Sequence, residues 1–157
     1  MFEQISAFFT IEMIYLWLSF GVMPFWFVLI FFPKSKVCGL FATSIFPFLI
    51  LGSVYIYLVY YFFHTEYDFL ENFELYLGIY NLANLFENEA FLILIWTHFL
   101  AINLFCAAWI VRDSQKYFIP KYFNIIPLII TYFVGPVGIV IYWIIRIFFA
   151  KKISLFD

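Results

Sequence analysis

Four long apolar runs dominate the chain and restrict it to membrane folds. They cover residues 13–32, 37–63, 90–111 and 122–146, and apart from Arg146 at the end of the last run they contain no Asp, Glu, Lys or Arg. An α-helix rises about 1.5 Å per residue, so about 20 apolar residues cross the hydrocarbon core of a bilayer. These runs therefore predict an all-α integral membrane protein with four transmembrane helices.

The composition excludes the soluble alternatives. Of the 157 residues, 67% are hydrophobic and only 11% are charged, whereas a soluble domain is about half apolar and about a quarter charged. So few charges cannot cover a surface that faces water. We expect a single membrane domain over residues 1–157, surrounded by the lipid bilayer. The net charge of −2 gives no reason to expect a nucleic-acid partner.

An acidic segment at residues 66–89 separates the second and third runs and contains no Lys or Arg. Its apolar residues recur at helical spacing: Phe69, Leu70, Phe73, Leu77 and Tyr80. This pattern is typical of an amphipathic helix that lies in the membrane interface with its apolar face down. The alternative is a partly ordered, solvated loop.

The basic residues indicate how the four spans are oriented. The turns after the first and third runs hold Lys34, Lys36, Arg112, Lys116 and Lys121. Because Lys and Arg concentrate in cytoplasmic loops, we expect these turns in the cytoplasm and both termini outside, with the acidic segment. Basic residues after the fourth run argue against this orientation. We expect a multi-pass protein in a bacterial inner (plasma) membrane.

The third run contains two polar side chains, His98 and Asn103. A polar residue inside a membrane span is costly, which makes each a candidate for a functional site. Imidazole changes its charge near neutral pH, so His98 can give or take a proton. The alternative is a hydrogen bond between helices worth about 0.6–2 kcal/mol. That alternative is favoured for Asn103, because an amide cannot usefully transfer protons.

Helical geometry limits how these groups can cooperate. At about 100° per residue, Glu89, Trp96 and Asn103 fall on one stripe of the third helix, whereas His98 lies on another. Glu89 and His98 are nine residues apart, or about 13–14 Å along a helix. A direct acid–base pair between them would require a break in the helix. Asp113 follows the run and is expected to pair with Arg112 or Lys116.

Several chemistries lack the residues that they need. The chain has two histidines, His64 and His98, in different segments, so a histidine-rich metal cluster cannot form. The spans contain no lysine for a Schiff base. No phosphate-binding loop or nucleophile elbow is present. We therefore expect neither a metal ion nor a cofactor.

The chain nevertheless carries a set of ordered motifs. They are Leu85-Phe86-Glu87-Asn88-Glu89, Trp96-x-His98, Leu104-Phe105, Ala107-Ala108 and Asp113, with Pro24-Phe25 and Pro33-Lys34-Ser35 before them and Gly135-Pro136-Val137-Gly138-Ile139 after them. Their order and spacing resemble the neoxanthin-synthase-like family, also called abscisic-acid-deficient-four-like. One position departs from the family pattern, which tends to carry Asp where this chain has Asn103.

The resemblance implies a reaction. Plant members are associated with making neoxanthin from violaxanthin, an isomerisation in which an epoxide oxygen gains a proton and a nearby C–H bond loses one. Such a reaction needs an acid and a base but no redox cofactor. On this basis the candidate catalytic residues are His98, Glu89 and Glu87. The candidate substrate-binding residues are Trp96, Asn103, Asn88 and Asp113.

Two functional hypotheses remain open. The first is a membrane protein that binds or isomerises a carotenoid-like or other isoprenoid lipid without a cofactor. The second is a non-catalytic membrane subunit or assembly factor, in which His98 and Asn103 hold helices together and the acidic segment docks a partner. The sequence does not predict an oligomeric state.

Overall fold

The structure is a computed structural model that describes residues 9–65, 67–151 and 153. The α-helices are α1 (Ile11–Gly21), α2 (Met23–Phe31), α3 (Phe46–Phe63), α4 (Ile79–Glu87), α5 (Glu89–Lys116), α6 (Lys121–Phe133) and α7 (Gly135–Ala150). A π-helical turn, Cys38–Ala42, precedes α3, and a 3-10 helix, Phe69–Tyr76, precedes α4. The part of the chain described contains no β-strand, which confirms the all-α prediction.

Three helical segments are long and apolar enough to cross a membrane. They are Ile11–Phe31, Cys38–Phe63 and Glu89–Lys116, and they correspond to the first three apolar runs. The first is interrupted at Val22, two residues before Pro24, because proline has no backbone N–H with which to continue the helical hydrogen bonds.

The fourth run is folded as a helical hairpin and not as the single span that the sequence predicted. Helices α6 and α7 run antiparallel, so that the ring centroids of Phe123 and Phe149 lie 5.2 Å apart. A Cβ atom on Gly138 would lie 2.0 Å from Thr131 Oγ1. In one straight helix Phe123 and Phe149 would be about 39 Å apart.

The turn of the hairpin follows from the sequence around Val134. This residue has φ −141° and ψ 83°, so its backbone departs from the helical conformation between α6 and α7. Pro136 lies in the first turn of α7, where its missing N–H costs nothing. Gly138 lacks a side chain and lets the two backbones approach closely.

The acidic segment forms two short helices where the sequence predicted one. Gly78 has φ 144°, a conformation that favours glycine, and it separates the 3-10 helix from α4. Asp68 caps the 3-10 helix by accepting a hydrogen bond from Leu70 N at 2.8 Å. Apolar side chains of this segment are exposed: Leu70, Phe73, Tyr76, Leu77, Ile79 and Tyr80. Glu66, the first residue of the predicted segment, lies outside the residues described.

The chain divides into two compact units. Unit 1 comprises Met1–Gly21 and Phe48–Leu100, and unit 2 comprises Val22–Pro47 and Ala101–Asp157. The core of unit 1 includes Leu18, Leu58, Phe62, Phe91 and Leu94. The core of unit 2 includes Leu29, Leu104, Ile110, Leu128 and Tyr142.

The hairpin predicts a specific thiol cross-link. With Cys38 and Cys106 replaced by alanine, we expect the pair Phe123→Cys and Phe149→Cys to be joined by a short bifunctional thiol reagent, because the native rings are in contact. Intramolecular cross-linking is measured by mass spectrometry of proteolytic fragments.

The control pair is Phe123→Cys and Phe133→Cys, at the two ends of α6 and about 15 Å apart. It should remain unlinked. A single straight span would leave both pairs unlinked, and that result would disprove the hairpin.

Candidate functional site

Helix α5 carries most of the residues that the sequence singled out. Asn88 precedes its first turn, and Glu89 is its first residue. Asn88 Oδ1 accepts hydrogen bonds from Ala90 N at 2.9 Å and Phe91 N at 3.4 Å. These bonds satisfy two of the N–H groups that a helix start leaves without backbone partners. The direct role of Asn88 is therefore to cap α5, directly after α4 ends.

The predicted acid–base residues do not converge. Glu87 at the end of α4 and Glu89 are both exposed. His98 is also exposed, and no hydrogen bond or ion pair within the described residues involves it. Because α5 is unbroken between Glu89 and His98, the two side chains lie about 13–14 Å apart along the axis and on opposite sides of the helix. A direct pair between them is excluded in this structure.

Trp96 is the centre of an aromatic cluster in unit 1. Its Nε1 donates a hydrogen bond to Ser19 Oγ at 3.0 Å. The Trp96 ring lies 5.5 Å from the rings of Tyr15 and of Phe99. Tyr15 remains 44% exposed, and Trp96 is half-buried. We call Tyr15, Trp96 and Phe99 the aromatic face.

Asn103 fastens the turn of the C-terminal hairpin within unit 2. It is buried, and its Nδ2 donates to the backbone carbonyl of Tyr132 at 3.4 Å. Its Oδ1 packs against Gly135, where a Cβ atom would come within 2.3 Å. This contact requires glycine at 135 and gives Asn103 a structural role, the alternative that the sequence favoured.

Asp113 holds the hairpin nearer its base, which is the end opposite the turn. Its Oδ2 accepts hydrogen bonds from Tyr142 Oη at 2.6 Å and from Arg146 Nε at 2.7 Å. The sequence predicted Arg112 or Lys116 as its partner, but the structure pairs it with Arg146, which follows 33 residues later. The neighbouring cations on α5 are exposed, whereas Arg146 lies across the hairpin contact and is fully buried.

Aromatic rings complete the environment of the Arg146 guanidinium. Its Cζ lies 4.6 Å from the centroid of Tyr117 and 4.7 Å from that of Trp143. Nη2 also donates to Tyr117 Oη at 3.2 Å. Contacts of a cation with ring faces are favourable, more so where water is excluded. We call Asp113, Tyr117, Tyr142, Trp143 and Arg146 the hairpin network.

Four members of this network were not predicted from the sequence: Tyr117, Tyr142, Trp143 and Arg146. One signal could have revealed two of them. Gly135, Gly138, Tyr142 and Arg146 follow at intervals of three, four and four residues, which places them on one helix face. That face is the buried face of α7. A stripe that combines glycines with a polar residue indicates close packing against another helix.

The predicted residues therefore belong to separate groups. Trp96 is part of the aromatic face, while Asn103 and Asp113 both hold the hairpin. His98, Glu87 and Glu89 are exposed and lie outside both groups. Within the described residues, no three His, Cys, Asp or Glu side chains are grouped to hold a metal ion.

The contacts of the hairpin network predict that substitution of Asp113 or Arg146 strongly destabilises the protein. Asp113→Ala leaves Arg146 as a buried charge without its carboxylate, so we expect a loss of about 3–5 kcal/mol. Arg146→Ala should cost a similar amount, and the double variant clearly less than the sum. The free energies are measured by denaturant unfolding in detergent micelles.

The matched control is Arg112→Ala, because Arg112 is adjacent to Asp113 but exposed. It should change stability by less than about 0.5 kcal/mol. The assigned pairing is wrong if Arg112→Ala destabilises the protein as much as Arg146→Ala.

The chain is similar in sequence to a plant protein. Over 105 residues the chain is 28% identical to the protein ABA DEFICIENT 4, chloroplastic, of Arabidopsis thaliana. The match covers 61% of this chain and 44% of the relative, so this chain spans less than half of the relative's length. No solved structure matches the chain.

The comparison also corrects one expectation and confirms another. The relative is a chloroplastic protein, so the comparison does not support the bacterial inner membrane that we expected. The sequence profile of the ABA DEFICIENT 4-like family matches residues 13–142, which include every motif that carried the resemblance. Since this match covers most of the chain, the protein belongs to the ABA DEFICIENT 4-like family.

Proposed function

We propose that this protein binds a carotenoid-like or other isoprenoid lipid against the aromatic face of Tyr15, Trp96 and Phe99. The observation that carries the proposal is a half-exposed aromatic cluster on a membrane-spanning helix. A flat, apolar chain that is dissolved in the bilayer can stack on such rings. Membership of the ABA DEFICIENT 4-like family supports the same ligand class.

The aromatic face is prepared for binding before the ligand arrives. The hydrogen bond from Trp96 Nε1 to Ser19 fixes the indole ring, and Phe99 is stacked on it at an interplanar angle of 23°. A ring that is already ordered loses little conformational entropy when a ligand packs on it. Rigid aromatic walls therefore favour a long apolar ligand over mobile lipid tails.

A carboxylate lies on the same stripe of α5 as Trp96. Glu89 precedes Trp96 by seven residues, about 10 Å along the axis, and stands at the end of the span. We assign this exposed carboxylate to the oxygenated ring end of the ligand. Glu87 and Glu89 would then supply the acid and the base for the isomerisation that the family resemblance implies. His98 faces the opposite side of α5, and we assign it no contact with this ligand.

A second candidate function rests on the acidic segment. Leu70 and Tyr80 expose 73% and 84% of their surface, and a patch of such side chains needs a covering of lipid or protein. We place this segment in the membrane interface, where the lipid covers its apolar side chains. In the second candidate the same side chains bind a protein partner, and the chain is a non-catalytic subunit.

A pigment-binding experiment tests the leading proposal. The protein is expressed in a carotenoid-producing host and purified in mild detergent, and the co-purified pigment is quantified by absorbance and chromatography. We expect the wild type to retain pigment and Trp96→Leu to lose most of it. Trp109→Leu is the matched control, because Trp109 is another half-buried tryptophan on α5.

The variants of the charged residues separate binding from reaction. Glu89→Gln should retain pigment but abolish any change in the pigment profile, whereas His98→Ala should preserve both. If pigment is absent from the wild type and a stoichiometric protein co-purifies in its place, the subunit hypothesis replaces this one. Loss of pigment in His98→Ala but not in Trp96→Leu would also refute the proposed site.

A further inference from the structure

The hairpin places the start of α6 beside the end of α7. Phe123 lies in the first turn of α6 and Phe149 in the last turn of α7, and their rings are in contact at 5.2 Å. The helices have 13 and 16 residues, or about 20 and 24 Å. Both are shorter than the hydrocarbon core of about 30 Å. A segment that turns back at this depth leaves the bilayer on the side where it entered.

The contact of the hairpin turn with α5 also indicates that the turn lies within the membrane. Tyr132 and Gly135, on either side of the turn, contact Asn103. Asn103 lies 13 residues before Lys116, the last residue of α5, which corresponds to about 20 Å. The turn is therefore inside the span of α5 and far from either of its ends.

Positive charge is concentrated where the hairpin begins and ends. Lys121 is the first residue of α6, and Lys151 follows the last residue of α7. Gln115, in the last turn of α5, donates from Nε2 to the carbonyl of Pro33 at 2.5 Å. This bond holds the turn that contains Lys34 and Lys36 beside the end of α5. Both lysines and Arg112 are exposed.

Negative charge is nearly absent from the same region. Among the described residues of unit 2, the only Asp or Glu is Asp113. Its carboxylate is buried and ion-paired with Arg146. The exposed charges on the described part of unit 2 are thus all positive. We call Lys34, Lys36, Arg112, Lys121 and Lys151 the cationic face.

We propose that the hairpin is re-entrant, and that the cationic face it completes binds the anionic phospholipid headgroups of the adjacent leaflet. Lysine and arginine at a membrane interface attract anionic headgroups. The four-span prediction put the C-terminus on the side of the acidic segment. A re-entrant hairpin puts Lys151 on the side of Lys34, and this removes the conflict that the basic residues after the fourth run created.

Sidedness is tested by labelling single cysteines in a chain in which Cys38 and Cys106 are alanine. A membrane-impermeant maleimide is added to vesicles of known orientation that carry Lys34→Cys, Lys151→Cys or Glu74→Cys. We expect positions 34 and 151 to react from one side and position 74 from the other. Reaction of position 151 together with position 74 would establish four spans and overturn the proposal.

Lipid preference is tested after reconstitution with spin-labelled phosphatidylglycerol or phosphatidylcholine. We expect the wild type to favour phosphatidylglycerol at least about threefold at low salt, and less at high salt. The preference should fall sharply when all five residues of the cationic face are changed to glutamine, since Lys116 is then the one exposed cation left among the described residues of unit 2. It should persist in the control, in which Glu12, Glu71 and Glu74 become glutamine and Asp68 becomes asparagine.

Two results would overturn the lipid assignment. One is a wild type that binds both lipids equally. The other concerns the variant in which the cationic face is changed to glutamine. The lipid assignment is wrong if this variant keeps the lipid preference and instead no longer co-purifies with an acidic protein that the wild type binds. Neither readout involves the aromatic face, so both results are independent of the proposed carotenoid site.

Discussion

The hydrogen bond from Asn103 to the carbonyl of Tyr132 gives a polar partner to the backbone at the end of α6, and this is the strictest requirement of the fold. A helix that ends inside a membrane leaves backbone carbonyl groups in its last turn that lipid cannot satisfy. In the re-entrant hairpin that we propose, α6 ends beside Asn103, where Val134 N bonds to the carbonyl of Ile130 and the amide of Asn103 reaches the carbonyl of Tyr132. The turn is tolerable because it is packed against protein, and the absence of a side chain at Gly135 lets Asn103 come close enough.

The same principle explains why the hairpin network is ionic as well as aromatic. A lone arginine buried inside a membrane protein would be costly, so it needs a counter-charge and donors with partners. Asp113 supplies the charge, and Tyr117 accepts a bond from the guanidinium. Asn103 and Asp113 are ten residues, or about 15 Å, apart on α5. The hairpin is therefore held near its turn and again near its base by one continuous helix.

The sequence predicted the features of the fold that depend on local composition. The absence of charges located the first three spans, whereas the fourth run, predicted as one span, is broken at Val134. The sequence could not predict the direction of the chain after this break, because an apolar run has the same composition whether it crosses the bilayer or turns back. The Arg146–Asp113 pair was missed for a related reason. At the end of an apolar run, Arg146 resembles an ordinary boundary residue, and its partner is identified only once the hairpin is folded.

The amide at position 103 now has a physical explanation that bears on function. An ionised carboxylate there could not donate a hydrogen bond to Tyr132, whereas an amide can. An amide at this position thus suits the way this chain holds its hairpin turn. Asn103 belongs to unit 2 and the aromatic face to unit 1. The contacts of Trp96 with Tyr15, Ser19 and Phe99 all lie within unit 1, so the aromatic face that we assign to ligand binding is built without Asn103.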